Sequence, residues 1–210
     1  MTRILIVDDH AMIRRGLRET LTEAGGFEVV GEAGDYASLR ELLRSVEADV
    51  VLLDVNLPGR NGIEILASLA DSHPKLRAVV LSQYPEDQYG IRAMKSGAMS
   101  YLNKSADPAQ IVQAVRMAAA GRRFLTPEIA QTLVDTVAGR HDDAPHDRLS
   151  ERELQTMLRI ARGEKLAEIA QALVLSPKTV SVYRARVLEK LGLHTNADIA
   201  AYAVRNGLVD

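Results

Sequence analysis

The chain has 210 residues, 47% hydrophobic and 26% charged, with a formal net charge of −2 and no cysteine. That is the composition of an ordinary globular chain, long enough at roughly 100–200 residues per domain for one large domain or two small ones, and it excludes disulfide frameworks and thiol chemistry. No apolar run approaches the ~20 residues that span a bilayer, and the short apolar stretch after Met1-Thr2-Arg3 falls short of a secretion signal, so a cytoplasmic protein without membrane contact is expected.

The small net charge hides an asymmetry. Residues 1–120 carry 13 basic against 16 acidic side chains, residues 121–147 carry 3 against 5, and residues 148–210 carry 10 against 7. An acidic front with a mildly basic tail domain is the charge layout of a nucleic-acid-binding module joined to a non-binding partner.

In chain order, Ile4-Leu5-Ile6-Val7, Glu28-Val29-Val30-Gly31, Val50-Val51-Leu52-Leu53, Ala78-Val79-Val80-Leu81 and Ser100-Tyr101-Leu102 read as five strands. The first, third and fourth lack period-2 alternation, as strands of a parallel sheet covered on both faces do. The segments between them are long enough for crossover helices, so residues 1–121 predict an α/β doubly wound five-stranded parallel sheet. Pro127 to Val137 then reads as one amphipathic helix, with Thr126 as N-cap and Pro127 at its first position. Gly139 to Asp147 has glycine, proline and charge but no apolar anchor, which predicts a flexible connection; residues 122–147 are thus expected to be a linker with one helix.

Residues 148–210 predict an all-α domain of four helices. Ser150-Glu151-Arg152-Glu153 has the capping-box form and opens a helix to about Ala161. A short helix spans about Leu166 to Leu173, and Ser176-Pro177 starts a longer one to Leu191, ended by Gly192. The last runs from about Asn196 to Val204. The tight link between the second and third makes a helix-turn-helix candidate.

In a doubly wound sheet, ligands bind beyond the carboxyl ends of the strands, where strand order reverses. Asp8 and Asp9 end the first strand, Asp54 the third and Ser82 the fourth, and Lys104 follows the fifth. Carboxylates with an open coordination position suit Mg2+, which prefers oxygen ligands and bridges to a phosphoryl oxygen. With the cation and Lys104 neutralising an incoming phosphate, one carboxylate can act as nucleophile and become an acyl phosphate; Asp54 fits that role.

Asp8-Asp9, Asp54 with Leu57-Pro58 and Gly62, Ser82 and Lys104 resemble the receiver domain of two-component response regulators over nearly all of residues 3–120. The resemblance implies Asp54 as phosphoacceptor, with Asp9, Asp54 and the backbone carbonyl of Asn56 as Mg2+ ligands and Asp8 supporting the metal through water. It also implies Ser82 and Lys104 on the phosphoryl oxygens, and Tyr101 as an aromatic switch that turns inward when Ser82 moves. Asn61 stands just before Gly62 where the family often has an acid and is read as loop chemistry.

Leu149 to Leu154, Glu168-Ile169-Ala170, Ser176 to Val180 and Lys190-Leu191-Gly192 resemble the LuxR-type helix-turn-helix of NarL/FixJ-class regulators. Tyr183 sits where that family often has histidine. On the helix from Ser176 to Leu191, Val180, Val187 and Leu191 form one stripe, edged by Tyr183 and Leu188, that would pack on the scaffold helices. Lys178, Val182, Ala185, Arg186 and Glu189 fall opposite, a face suited to a major groove in which Val182 could meet a thymine methyl. Arg184, Arg186 and Lys190 supply phosphate-directed charge. The candidate DNA-binding set is Lys178, Thr179, Ser181, Val182, Tyr183, Arg184, Ala185, Arg186 and Lys190. In the last helix, Ile199, Ala200, Ala203 and Val204 suit dimerisation and extra core packing equally.

The expected function is a phosphorylation-dependent transcriptional regulator that a sensor histidine kinase phosphorylates on Asp54, shifting it to a homodimer on the half-sites of double-stranded DNA. RNA polymerase is carried as a further candidate partner. Three rival readings are a receiver that is never phosphorylated, a Mg2+-dependent phosphatase or phosphotransferase, and a protein-binding scaffold. Against an enzyme stands Asn56, two residues after Asp54, where aspartyl-phosphate hydrolases of the haloacid dehalogenase type carry a general acid/base.

Overall fold

A computed structural model describes residues 1–84, 86–138 and 144–209. The chain divides into two compact units, residues 1–138 and 139–210.

In the first unit, strands β1 (Thr2–Val7), β2 (Phe27–Ala33), β3 (Val50–Asp54), β4 (Arg77–Ser82) and β5 (Ser100–Asn103) form one parallel sheet in the order β2-β1-β3-β4-β5. Helices α1 (Ala11–Ala24), α2 (Tyr36–Ser45), α3 (Gly62–Ser72), α4 (Glu86–Lys95) and α5 (Pro108–Ala119) are the crossovers and the closing helix. Every residue of β3 is buried, which accounts for its unbroken apolar run. Ile4, Ile6, Val50, Leu52, Val79, Leu81 and Leu102 share one core with Leu17 and Leu21 of α1 and with Ile111, Val112 and Val115 of α5. The adjacent in-sequence residues Leu5, Val51, Leu53 and Val80 are equally buried, so both faces of the sheet are covered.

Register brings the polar strand ends together. Val7 pairs with Leu53, setting Asp8 beside Asp54; Asp54 pairs with Leu81 and Ser82 with Asn103, so the β4 and β5 ends close the same mouth. The turn after β3 is held by backbone packing. Gly62 donates its N–H to the Val55 carbonyl at 2.9 Å, and a Cβ at Gly62 would lie 2.2 Å from the Asp54 carbonyl oxygen. Only glycine fits so close a backbone approach. Asn61 is fully buried and caps α3, its Oδ1 accepting from Ile63 N at 2.7 Å, which is the loop role its chemistry suggested.

Helix α6 (Pro127–Val137) forms where expected, but it belongs to the first unit, packed on α4. The expected linker of residues 122–147 is therefore not one uniform connection. Of its predicted flexible stretch, residues 139–143 lie outside the described residues. Within the rest of that stretch, Pro145–Arg148 form a short 3-10 turn. Its anchor is aromatic: His146 Nδ1 lies 3.0 Å from the Tyr202 hydroxyl, with the rings edge-on. A single imidazole on a distant tyrosine leaves no local apolar pattern.

The second unit packs α7 (Glu151–Ala161), α8 (Leu166–Ala172), α9 (Pro177–Leu191) and α10 (Asn196–Arg205) around Leu154, Leu158, Ile169, Val180, Val187, Ile199 and Ala203. The Ser150–Glu153 capping box is present, with Ser150 N donating to Glu153 Oε2 at 2.7 Å. Gly192 ends α9 in the left-handed conformation. Between α8 and α9, Val174 adopts φ +53 with 62% of its surface exposed, an unusual conformation for a β-branched side chain.

Candidate phosphoacceptor pocket and DNA-facing helix

At the carboxyl end of the sheet the Lys104 ammonium sits between two acids, 2.6 Å from Asp8 Oδ2 and 2.8 Å from Asp54 Oδ2. Asp8 and Asp54 are 2% and 1% exposed. Burial pushes the Asp54 carboxyl above its ordinary range and the Asp8 charge adds to that, while Lys104 and the Asn56 N–H, 3.0 Å from Asp54 Oδ1, pull the other way. Burial also works against the Lys104 ammonium, yet its two acids outweigh it and hold it above the usual lysine value. Two carboxylates against one cation leave the pocket short of positive charge.

Asp8, Asp9, His10 and Asp54 each offer a ligand atom, and these atoms all lie within 4.8 Å of one another. Apart from the His10 imidazole the donors are oxygens, the set that a hard cation such as Mg2+ takes, and a divalent ion would remedy the charge deficit. Thus the residues present fit the ion. His10 was not singled out from sequence; its Nδ1 lies 2.6 Å from Asp9 Oδ1 and 3.2 Å from Asp8 Oδ1, and only its place next to Asp9 could have flagged it. Arg14 was missed too, and its Nη1 donates to the Asp8 carbonyl at 2.6 Å.

Ser82 is fully buried at the end of β4, its Oγ accepting from Tyr84 N at 3.1 Å. Tyr101 is fully buried as well, and its hydroxyl donates to the Tyr84 carbonyl at 3.1 Å. Burial pushes that hydroxyl well above the usual tyrosine value, so it stays a donor. The aromatic ring expected to act as a switch is thus in its inward position.

On α9, Lys178, Ser181, Val182, Ala185 and Arg186 are exposed while Val180 and Val187 are fully buried, which is the division the helical wheel predicts. Thr179 is half-buried and bonds to the capping residue, its Oγ1 lying 2.8 Å from Ser176 Oγ. Tyr183 and Arg184 are half-buried, and Arg184 Nε donates to Asn196 Oδ1 at the start of α10. Lys190, also exposed, has its ammonium 2.6 Å from Glu153 Oε2 and 3.2 Å from the Arg148 carbonyl. On α10, Ile199 and Ala203 enter the core, whereas Val204 is 56% exposed.

Residues 4–116 match the response regulator receiver domain family, and residues 147–203 match the luxR family of bacterial regulatory proteins. The response regulator GacA of Pseudomonas aeruginosa is 41% identical, the alignment covering 100% of this chain and 99% of that one. The response regulator UvrY of Escherichia coli is 37% identical over 99% of this chain and 96% of its own. Among solved structures, RcsB of Salmonella enterica serovar Typhimurium, bound to the promoter rprA in the presence of phosphomimetic BeF3-, matches with a TM-score of 0.68 at 24% identity, covering 96% of this chain and 97% of that one. The chain belongs to the two-component response regulators of the NarL/FixJ class, with a receiver domain followed by a LuxR-type DNA-binding helix-turn-helix.

Proposed function

We propose that a sensor histidine kinase phosphorylates this regulator on Asp54 and that the phosphorylated form binds paired half-sites in double-stranded DNA as a homodimer. The observation that carries the reading is the buried Asp8–Lys104–Asp54 bridge at the mouth between β1 and β3. A carboxylate oxygen of Asp54 attacks phosphorus, the P–N bond of the donor phosphohistidine breaks, and the departing imidazole keeps the electron pair and is protonated from solvent. Lys104 and Ser82 stabilise the equatorial oxygens as charge spreads over them. Bound Mg2+, held by Asp9, Asp54 and the Asn56 carbonyl with Asp8 behind, would neutralise phosphoryl charge. Asn56 offers no proton acceptor two residues from Asp54, so the acyl phosphate persists as a signal and the protein acts as a regulator, not as an enzyme with turnover.

We assign residues 1–121 to the receiver, 148–210 to the DNA-binding domain and 122–147 to the connection, with α6 physically part of the receiver's fold. For α9, we propose Val182, Ala185 and Lys178 at base edges, with Thr179, Ser181, Tyr183, Arg184 and Arg186 around the phosphates. RcsB binds promoter DNA in the matched structure, and extending that to this chain is part of the proposal. No helix among the described residues is long and apolar enough to cross a membrane.

The test is labelling from acetyl phosphate. Uptake of one phosphoryl group is expected with Mg2+ and none without it, because the carboxylates otherwise repel the donor. Asp54→Asn should abolish the label; a mutant that labels as well as the parent would mean that the nucleophile lies elsewhere. Sedimentation with and without beryllofluoride checks the dimer.

A further inference from the structure

Arg184 stands midway along α9, and its side chain reaches the first residue of α10, where Nε donates to Asn196 Oδ1. Arg184 is half-buried and Asn196 exposed, so the bond lies at the surface of the corner between the two helices. A guanidinium has five N–H donors, and a single bond through Nε leaves the four on Nη1 and Nη2 for another acceptor. Among the described residues Arg184 has no carboxylate partner. Asp198, two residues after Asn196, is occupied by the cap of α10. Its Oδ2 accepts from Thr195 N at 2.8 Å and from His194 N at 3.1 Å.

The same helix thus fastens two cations in different ways. Lys190 is held by the carboxylate of Glu153, which offsets its charge. Arg184 is held by a neutral amide oxygen, which fixes the direction of the guanidinium and leaves its full positive charge. A polyanion rewards that combination. Attraction to phosphate needs the charge, and an arginine already held in one rotamer gives up less freedom when it binds. The Nη1 and Nη2 edge left over is the fork that grips two oxygens of one phosphate.

We infer that Asn196 is a positioning residue for DNA binding, whose side-chain amide orients Arg184 toward a backbone phosphate beside the groove that α9 enters, without neutralising it. This rests on the proposed reading of Arg184 as a phosphate contact. Asn196 needs no contact with DNA of its own, and its effect passes through Arg184. An aspartate at this position would hold the guanidinium more firmly but cancel much of its charge. It would also suit the first turn of α10, since an acid is favoured at a helix N-terminus. Stability and DNA affinity should therefore move in opposite directions in that variant, which a merely structural tie between α9 and α10 would not produce.

The test uses the full chain with Mg2+ and beryllofluoride. The probe is mixed-sequence double-stranded DNA cut to one length, because a phosphate contact is independent of sequence. Asn196→Ala should weaken binding about two- to tenfold, the cost of ordering one long side chain, with the salt slope unchanged because the charge remains. In an Arg184→Ala background the same substitution should have no further effect. Asn196→Asp should weaken binding more and lower the slope toward that of Arg184→Ala. Its thermal midpoint should stay at or above that of the parent, so that lost binding is not lost fold. If Asn196→Ala binds as the parent does while Arg184→Ala binds weakly, or if the Asn196→Ala loss persists without Arg184, the positioning role is overturned and the phosphate contact of Arg184 stands. Stability lost in step with affinity in Asn196→Asp overturns it too, reducing the bond to a structural tie. If Arg184→Ala itself leaves affinity and slope unchanged, both readings fall.

Discussion

In the pocket at the mouth of the sheet the charged groups are turned on one another, Lys104 between Asp8 and Asp54 with hardly any exposure to water, whereas on α9 Lys178 and Arg186 point away from the fold. The first arrangement works because burial magnifies each charge, so the arrival of a phosphoryl group or a cation changes the energy of the whole site. The second suits a polyanion, because exposure keeps charges available to it and lets salt compete with them. Lys190 and Glu153 stand between the two, an ion pair whose carboxylate is 2% exposed and whose lysine side chain is 38% exposed.

The largest expected effect lies in the pocket. Lys104→Met leaves Asp8 and Asp54 facing each other without their cation, a change that costs about 3–5 kcal/mol when a buried pair is broken. Denaturant unfolding without divalent cations should show that loss in the first unit, and added Mg2+ should restore part of it. The pH dependence has a definite sign. Asp54 already sits above its ordinary range from burial, and removing Lys104 raises it further. The folded state then holds its proton more tightly than the unfolded chain, near the ordinary ~3.9, so stability falls as pH rises from that value through the raised one. A variant as stable at neutral as at mildly acid pH would show that the pocket does not feel its own charge.

A smaller effect is expected where the comparison is mixed. Lys190→Met leaves Glu153 nearly buried with only its cap bond to Ser150 N, which should cost the second unit about 1–3 kcal/mol. Burial pushes the Glu153 carboxyl up, but Lys190 and the Ser150 N–H outweigh it and hold it below the usual value. Its stabilisation is therefore present above the unfolded pKa of about 4.3 and is lost as pH falls through the lower folded one; the mutant should lose that acid sensitivity. Binding isotherms at several salt concentrations should show an unchanged slope. A slope lowered by one would return Lys190 to the DNA backbone.

The smallest energies lie on the exposed face. Arg184→Ala should weaken binding evenly across operator variants and lower the salt slope by about one unit for each DNA phosphate that is no longer neutralised. Val182→Ala should shift the preference among operators and leave the slope unchanged. If the two outcomes are exchanged, the faces of α9 are misassigned.

Much of this protein was written in local patterns. Unbroken runs such as Val50 to Leu53 mark strands covered on both sides, and Ser150–Glu153, Ser176-Pro177 and Gly192 mark helix ends, because caps and periodicity act within a few residues. The α9 wheel was legible for the same reason. The candidate pocket could be proposed because each member ends a strand, but its closeness came from register, which joins Val7 to Leu53 and Asp54 to Leu81 across long stretches of chain. Tertiary structure alone decided that His10 joins the acids, that Lys190 turns to Glu153, that Pro145–Arg148 anchors on Tyr202 and that α6 lies on Gly90. Each depends on one side chain meeting another far along the chain, and a single distant meeting imposes no period, cap or composition on the residues around it.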